Sequence, residues 1–484
     1  MADDTVNLYW VSKQGRVAPR DILWESDGIS VMTAGSLSEA ANVYFAQEEP
    51  FFEQFARQFS LDPEVVYFMA GQKGSMPASV LTRFKDGLDQ TARDPFPVYV
   101  EPSADTRKTI ADCYGTSADQ IAITRNTTDA LALVFNGIDW QQGDEILVSP
   151  LEHPSGITTV LRTAARYGLI IRQWGVPVHR NVTADEVVAA FERQLVPGKT
   201  RAVFFSSPVW PIGQRMPEQR LAAAAQRVGA LTIVDGAHYN GMIDPQLDDT
   251  GVDFFALCGH KWQCGPGGTG VLYIRNRKLP ANPTELPKFF ISRSHAREYP
   301  FDGSRGDWDI GAALSTYGFP ESAAWRALGD ACRVWDDTGR QRIQTWHLTL
   351  GDYFRDKLSA TFGDDAVVGA RDDPALKSGI IAFNPFPRKE QRGDEAINLA
   401  FKDRILTEYG FRISGRGVGD NGLTRPPDTE AGAFAPGMVP NRDPATLAPA
   451  PMDYPHRVNA CVWNNRAQID QFVVAAQDLV TKMT

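Results

Sequence analysis

Two short apolar runs, each leading to a charged side chain, constrain the fold of this chain more than any other feature. Leu231-Thr232-Ile233-Val234-Asp235 shows no polar alternation. Such a run reads as a strand buried on both faces, the form taken by parallel strands covered by helices. Asp235 stands at its carboxyl end, and in open α/β sheets that end faces the ligand crevice. Phe254 to Leu257 is a second apolar run, followed by Lys261 and the stretch Gly265-Pro266-Gly267-Gly268-Thr269-Gly270. A Lys at the end of a buried strand loses hydration, so its amine pKa falls. A partly neutral amine is a nucleophile toward carbonyl carbons. The glycines let the backbone approach a bulky ligand. Alone, Lys261 would read as a surface residue before a turn, because Lys is seldom buried. The strand ending in Asp235 upstream of it shifts the balance.

A chain of 484 residues predicts one large and one small domain. Its 43% hydrophobic content sustains a large core. The net charge of -10 argues against nucleic acid or an anionic membrane as partner. The seven His are scattered, and no HxxxH or CxxC pair occurs, so no metal site is expected. Five Cys is an odd and sparse count that fits reduced thiols in a cytoplasm. The first twenty residues lack a basic segment followed by an apolar run, so no signal peptide is expected. No stretch reaches the ~20 apolar residues of a membrane-spanning helix.

Along the chain, residues 1–64 predict a helical arm, with Ser36 and Glu39 matching a capping box. Residues 65–77 predict a short strand running into Gly turns, and 79–115 two helices around a Pro-rich break. Ile121 to Thr124 is a strand, and a helix follows at Thr127-Thr128-Asp129. The free N–H groups and dipole of a helix start bind phosphate; equally, the threonines could be ordinary caps. Glu145 to Ser149 is the next strand, and His153 lies in the loop beyond it. An imidazole titrates near working pH and can relay protons. Val160 to Tyr167 predicts a helix, Ile170 to Val176 a strand, and Ala202 to Ser206 another buried strand. Residues 321–362 are helical in pattern, and Ile380 to Phe383 and Phe411 to Ser414 read as strands of the small domain. Residues 415–455 are rich in Gly, Pro, Asp and Asn and predict a long loop of lid type.

Strand-Asp235 and strand-Lys261, with the helix start at Thr127 and the Glu152-His153 pair before them, resemble the class V aminotransferase group of fold-type I pyridoxal 5'-phosphate (PLP) enzymes. The likeness is strongest to its isopenicillin N epimerase-like and cysteine-desulfurase-like members, and it runs from about residue 66 to 469. It implies an α/β fold: a large PLP-binding domain over 65–325 with a mostly parallel seven-stranded sheet, and a smaller α+β domain over 326–484. It implies PLP held as a Schiff base on Lys261, with its phosphate at Thr127, Thr128 and His260. His153 would lie flat on the ring, Asp235 would hold the ring nitrogen protonated, and His238 would contact the ring hydroxyl. Relatives carry an Asn where Trp210 stands here, and a Ser where Cys258 stands. Ser304 matches a loop that crosses a homodimer interface to the neighbour's phosphate, so the resemblance implies shared active sites. Arg412 and Arg416, with Arg425, are candidates for a substrate carboxylate, because a guanidinium grips it bidentately.

The four features serve different needs: anion binding, ring clamping, electron withdrawal and covalent capture. Together they predict an enzyme working through an external aldimine on an amino acid or amino-acid-derived metabolite. Epimerisation, β-elimination by a C–S lyase, transamination and oxidative or decarboxylating deamination share the first steps and stay open. Desulfuration needs a mobile Cys in the 415–455 loop, which has none. A PLP-binding sensor is the non-enzyme alternative, but no DNA-binding module accompanies it.

Overall fold

A computed structural model describes residues 34–95, 104–275, 310–315, 320–415 and 455–484. After α1 (Ala34–Ala56) come β1 (Val66–Tyr67), α2 (Ala78–Arg93) and α3 (Ala104–Cys113). Strands and helices then alternate: β2 (Ile121–Thr124), α4 (Thr127–Gly137), β3 (Glu145–Val148), α5 (Pro154–Tyr167), β4 (Ile170–Gln173), α6 (Ala184–Glu192), β5 (Thr200–Ser206), α7 (Glu218–Arg227) and β6 (Leu231–Gly236). Two further strands, β7 (Phe254–Cys258) and β8 (Gly270–Ile274), close this part. The strands β2 to β8 form one seven-stranded sheet in the order β2-β8-β7-β6-β5-β3-β4. The pairings among β7, β6, β5, β3 and β4 are parallel, and β8 runs antiparallel to both β2 and β7. Successive residues of β6 serve different cores: Ile233 packs on one side of the sheet and Val234 on the other. Burial on both faces is the reason the strand reads as an unbroken apolar run.

The remaining elements are α8 (Ile310–Ser315), α9 (Ser322–Thr338), α10 (Arg340–Phe362), β9 (Val367–Val368), β10 (Ile380–Phe383), α11 (Lys389–Gly393), α12 (Glu395–Tyr409), β11 (Phe411–Arg412), β12 (Ser414–Gly415), β13 (His456–Asn459) and α13 (Arg466–Met483). A second, antiparallel sheet has the order β12-β13-β10-β9. The fold is thus the expected α/β architecture with a mostly parallel seven-stranded sheet.

Three local expectations change. The strand expected over Phe411 to Ser414 is split: β12 joins the second sheet, whereas β11 pairs in parallel with β1. Phe68 N donates to Arg412 O at 3.1 Å, and Asn459 N to Phe68 O at 3.0 Å, so the segment after β1 is stitched to the C-terminal part. Helix α1 begins at Ala34, ahead of the expected cap at Ser36. Helix α5 begins at Pro154 with His153 as its cap, a turn earlier than Val160, because Pro is pre-set for the first helical position. The arm packs on the body: Phe52 stacks on Trp346 of α10 at 4.3 Å, and Glu49 pairs with Arg466 of α13 at 2.7 Å. Among the described residues no helix is long and apolar enough to cross a membrane.

Candidate active site

The carboxyl ends of the central strands and the turns that follow them enclose a cavity of about 250 Å³. At one end is the start of α4. Asn126 caps it, its side-chain oxygen accepting from Asp129 N at 2.9 Å. Thr127 and Thr128 hold the first two helical positions, whose N–H groups have no acceptor inside the helix. The Asp129 carboxylate is turned to Arg125, at 2.9 Å, and so does not compete with an anion at the helix start. The buried Thr127 hydroxyl has no hydrogen-bond partner among the described residues.

Asp235 and Lys261 come together because β6 and β7 are adjacent parallel strands. Asp235 Oδ1 accepts from Ala237 N at 3.0 Å. Burial pushes its carboxyl up, opposed by that N–H and by Lys261. Lys261 is half-buried. Loss of water pulls its ammonium below the ordinary lysine value, with Cys258 and Asp235 pulling the other way. Its Nζ lies 3.3 Å from His238 Nε2, and the indole of Trp262 donates to His238 Nδ1 at 3.3 Å. Burial, and then the nearby Lys261 and Arg457, hold His238 well below the usual histidine range. Gly74, in the turn after β1, donates to His260 O at 2.8 Å. A Cβ on Gly74 would stand 2.0 Å from Lys261 O, so only glycine permits that approach.

On the opposite wall, His153 Nδ1 lies 2.7 Å from Ser155 Oγ and 3.3 Å from Ser155 N. The imidazole meets Trp210 edge to face, with centroids 5.3 Å apart. Trp210 O accepts from Arg457 Nη1 at 2.6 Å, and the guanidinium lies 6.0 Å from the indole ring. Burial lowers Arg457 to about 10. Thr127, Thr128, His153, Trp210, Asp235, His238, Cys258, His260 and Lys261, all named from sequence, therefore line one cavity. Cys258 donates to Ala237 O at 3.1 Å. Arg412 is exposed on β11 and does not line the cavity. Ser304, Arg416, Arg425 and the loop beyond residue 415 lie outside the described residues.

Sequence reasoning gave no role of their own to three residues. Arg457 is one; an Arg directly before the largely apolar stretch Val458-Asn459-Ala460-Cys461-Val462 was the available signal. Trp262 is another, next in sequence to Lys261. The third is Glu152, buried and bonded to Ser206 Oγ, with burial raising its carboxyl to about 8. Ser206 is the register partner of Asp235.

The family described as "Aminotransferase class-V" matches residues 100–389. The chain belongs to the class V aminotransferases. Isopenicillin N epimerase of Amycolatopsis lactamdurans is 30% identical over 343 residues, 69% of this chain and 85% of that protein. A probable cysteine desulfurase of Halalkalibacterium halodurans is 28% identical over 56% of this chain and 63% of its own length. Among solved structures, the cysteine desulfurase CsdA of Escherichia coli superposes with a TM-score of 0.65 at 20% identity, covering 89% of this chain and 98% of that one. The C-DES protein with glycine linked to its PLP has the same TM-score at 22% identity, covering 87% and 98%. As a class V aminotransferase the protein is a PLP-dependent enzyme. Its cavity suits that cofactor: an uncommitted helix start and a buried, partnerless Thr127 hydroxyl at one end, a carboxylate and a dehydrated amine at the other.

Proposed function

We propose that this class V enzyme moves a proton at the α-carbon of an amino acid or amino-acid-derived substrate, in the manner of an epimerase. The carrying observation is the cavity that gathers Lys261, Asp235, His238 and His153 beside the start of α4. When bound, PLP supplies an aldehyde for amine capture and a ring that withdraws electrons from the α-carbon. Thr127, Thr128 and His260 hold the phosphate, joined by Ser304 from a second copy in a homodimer. His153 would pack on the ring, and His238 would serve the ring hydroxyl. Asp235 would keep a proton at the ring nitrogen, being the one carboxylate among the described residues that line the cavity.

Lys261 tethers the cofactor and then moves the α-proton, a role that needs an amine neutral near working pH. Burial of Lys261 supports this. Arg457, rather than Arg412 or Arg416, is our choice for the substrate carboxylate: it is buried, it is anchored on Trp210, and it acts electrostatically on Lys261. Residues 415–455, of which 416–454 lie outside the described residues, are the proposed lid. Kinship with two isopenicillin N epimerases supports α-carbon chemistry. A persulfide route is disfavoured, since all five cysteines are buried. None forms a disulfide, which supports a reducing, cytoplasmic setting.

The test is product analysis in deuterated water, with the PLP-loaded protein and a panel of amino acids. Deuterium at the α-carbon with amine retained and configuration inverted is the expected result. Pyruvate-type fragments would make it a lyase, and oxygen consumption an oxidase. No α-exchange with any substrate that perturbs the cofactor spectrum would sink the reading.

A further inference from the structure

Lys261 does not meet the cavity alone; its amine faces His238, and His238 is gripped from behind by Trp262. The indole N–H of Trp262 donates to His238 Nδ1 at 3.3 Å. An indole has a donor and no acceptor, so in this contact Nδ1 must be the lone-pair nitrogen. A neutral imidazole with its lone pair on Nδ1 carries its hydrogen on Nε2. That is the nitrogen 3.3 Å from Lys261 Nζ. An ammonium would set N–H against N–H across this distance, whereas a neutral amine offers a lone pair. We propose that Trp262 is a positioning residue for Lys261: it fixes His238 in the Nε2–H tautomer, which favours Lys261 as a neutral amine.

The surroundings agree. Trp262 and His238 are fully enclosed, so the contact is not exchanged for water. Gly71 lies against the His238 ring: a Cβ there would stand 3.1 Å from its Cε1 and 3.3 Å from its Nδ1, so glycine is what permits the approach. Gly71 is itself fixed, its N–H donating to Asn459 Oδ1 at 2.7 Å. The charged groups facing the pair come from several elements. Lys261, Arg457, His153 and His260 all oppose a charge on His238. Cys258 and Asp235 favour a charged Lys261, and Arg457 opposes it. Holding the imidazole neutral is therefore in keeping with its setting, and Trp262 decides which nitrogen keeps the proton. The inference rests on Lys261 being the reactive amine, but not on which bond at the substrate is broken.

The test uses the full-length chain, with and without PLP. Nitrogen-15 NMR of histidine-labelled protein should show His238 with a protonated Nε2 and a lone-pair Nδ1. The opposite tautomer, or a rapid mixture, in the unmutated chain would overturn the proposal directly. Competitive acetylation of Lys261 in the cofactor-free chain, read by mass spectrometry, gives the pH of half-reaction. In Trp262→Phe that midpoint should rise by about one unit. A folded Trp262→Phe variant with an unmoved midpoint would count against the idea. Should that variant not fold, the tautomer in the unmutated chain still decides. Neither readout involves turnover, so failed α-exchange leaves this result standing, and the reverse holds too.

Discussion

His238 and His456 are both buried imidazoles among aromatic neighbours, and burial pushes both below the ordinary histidine range, His456 to about 3. Their partners differ. His456, on β13 of the second sheet, has Nε2 3.0 Å from Asn398 Oδ1, with the rings of Phe401 and Phe383 centred 4.8 Å and 5.8 Å away. Asn398 is itself held, accepting from Asn384 at 2.9 Å and donating to Asp394 O at 2.7 Å. That hydrogen-bond partner cannot change charge, although the Lys402 amine also opposes a charge on the ring. His238 instead faces an amine that can, on the wall of a cavity. A shifted proton affinity is thus common to a structural and a reactive histidine; a titratable partner at an enclosed, ligand-sized space is what separates them.

The widest gap between the two regions should appear on removing the amine. Lys261→Ala is expected to lower turnover by about a thousandfold or more, since tether and proton carrier go together. Thermal stability should hold or rise, because a polar amine held out of water is lost from the crevice. A variant with turnover within tenfold of the parent would move the chemistry off this residue.

Next in size is the contrast of the two histidines. His238→Ala should cost roughly a hundredfold in kcat and also lower the denaturant midpoint, because the Trp262 N–H loses its acceptor. His456→Ala should leave kcat per PLP-loaded site as it was and lower stability by about 2–4 kcal/mol, through an unfilled space and a stranded Asn398. Parallel urea titrations and active-site-normalised rates would read both. If the His456 variant lost rate rather than stability, the comparison would break.

Those expectations also show where sequence was informative. Buried parallel strands announce themselves through unbroken apolar runs, so β6, β7 and the placement of Asp235 and Lys261 were legible. The start of α4 was legible from its threonines. Arg457 was not, because its role depends on β13 closing against β10 and carrying a cation toward Trp210, some 250 residues away in sequence. Nor was the split of the Phe411 stretch, since a two-residue parallel pairing with β1 leaves no periodicity to read. The Trp262 contact was hidden for a similar reason: an indole beside a lysine reads as core until the partner of its N–H is known.

Acid should act on the fold through its buried histidines. His347 and His456 are both lowered to about 3 by burial, against an unfolded value near 6.5. With folded values below unfolded ones, the unfolded chain binds more protons, so stability is full above about pH 6.5 and falls as pH drops toward 3. His456→Asn should shallow that slope by about one histidine's share, measured as urea midpoint from pH 7 to 4. An unchanged slope would mean that this imidazole charges without unfolding.

The smallest effect concerns Glu152, and its sign is opposite. Burial raises its carboxyl to about 8, helped by the nearby Asp235 and opposed by the Ser206 bond. A folded value above the unfolded one means the folded chain holds the extra proton. Stability from this group is therefore full below about pH 4.5 and is lost as pH climbs through 8. The loss is limited to about 1.4 kcal/mol per pH unit, and solvent relaxation will reduce it. Glu152→Gln keeps the shape and accepts from Ser206 through its amide oxygen, but cannot ionise. Its stability should change less between pH 5 and 8 than that of the parent. Equal slopes would show Glu152 already charged beside Asp235, and the crevice would then hold two carboxylates behind the ring nitrogen where one suffices.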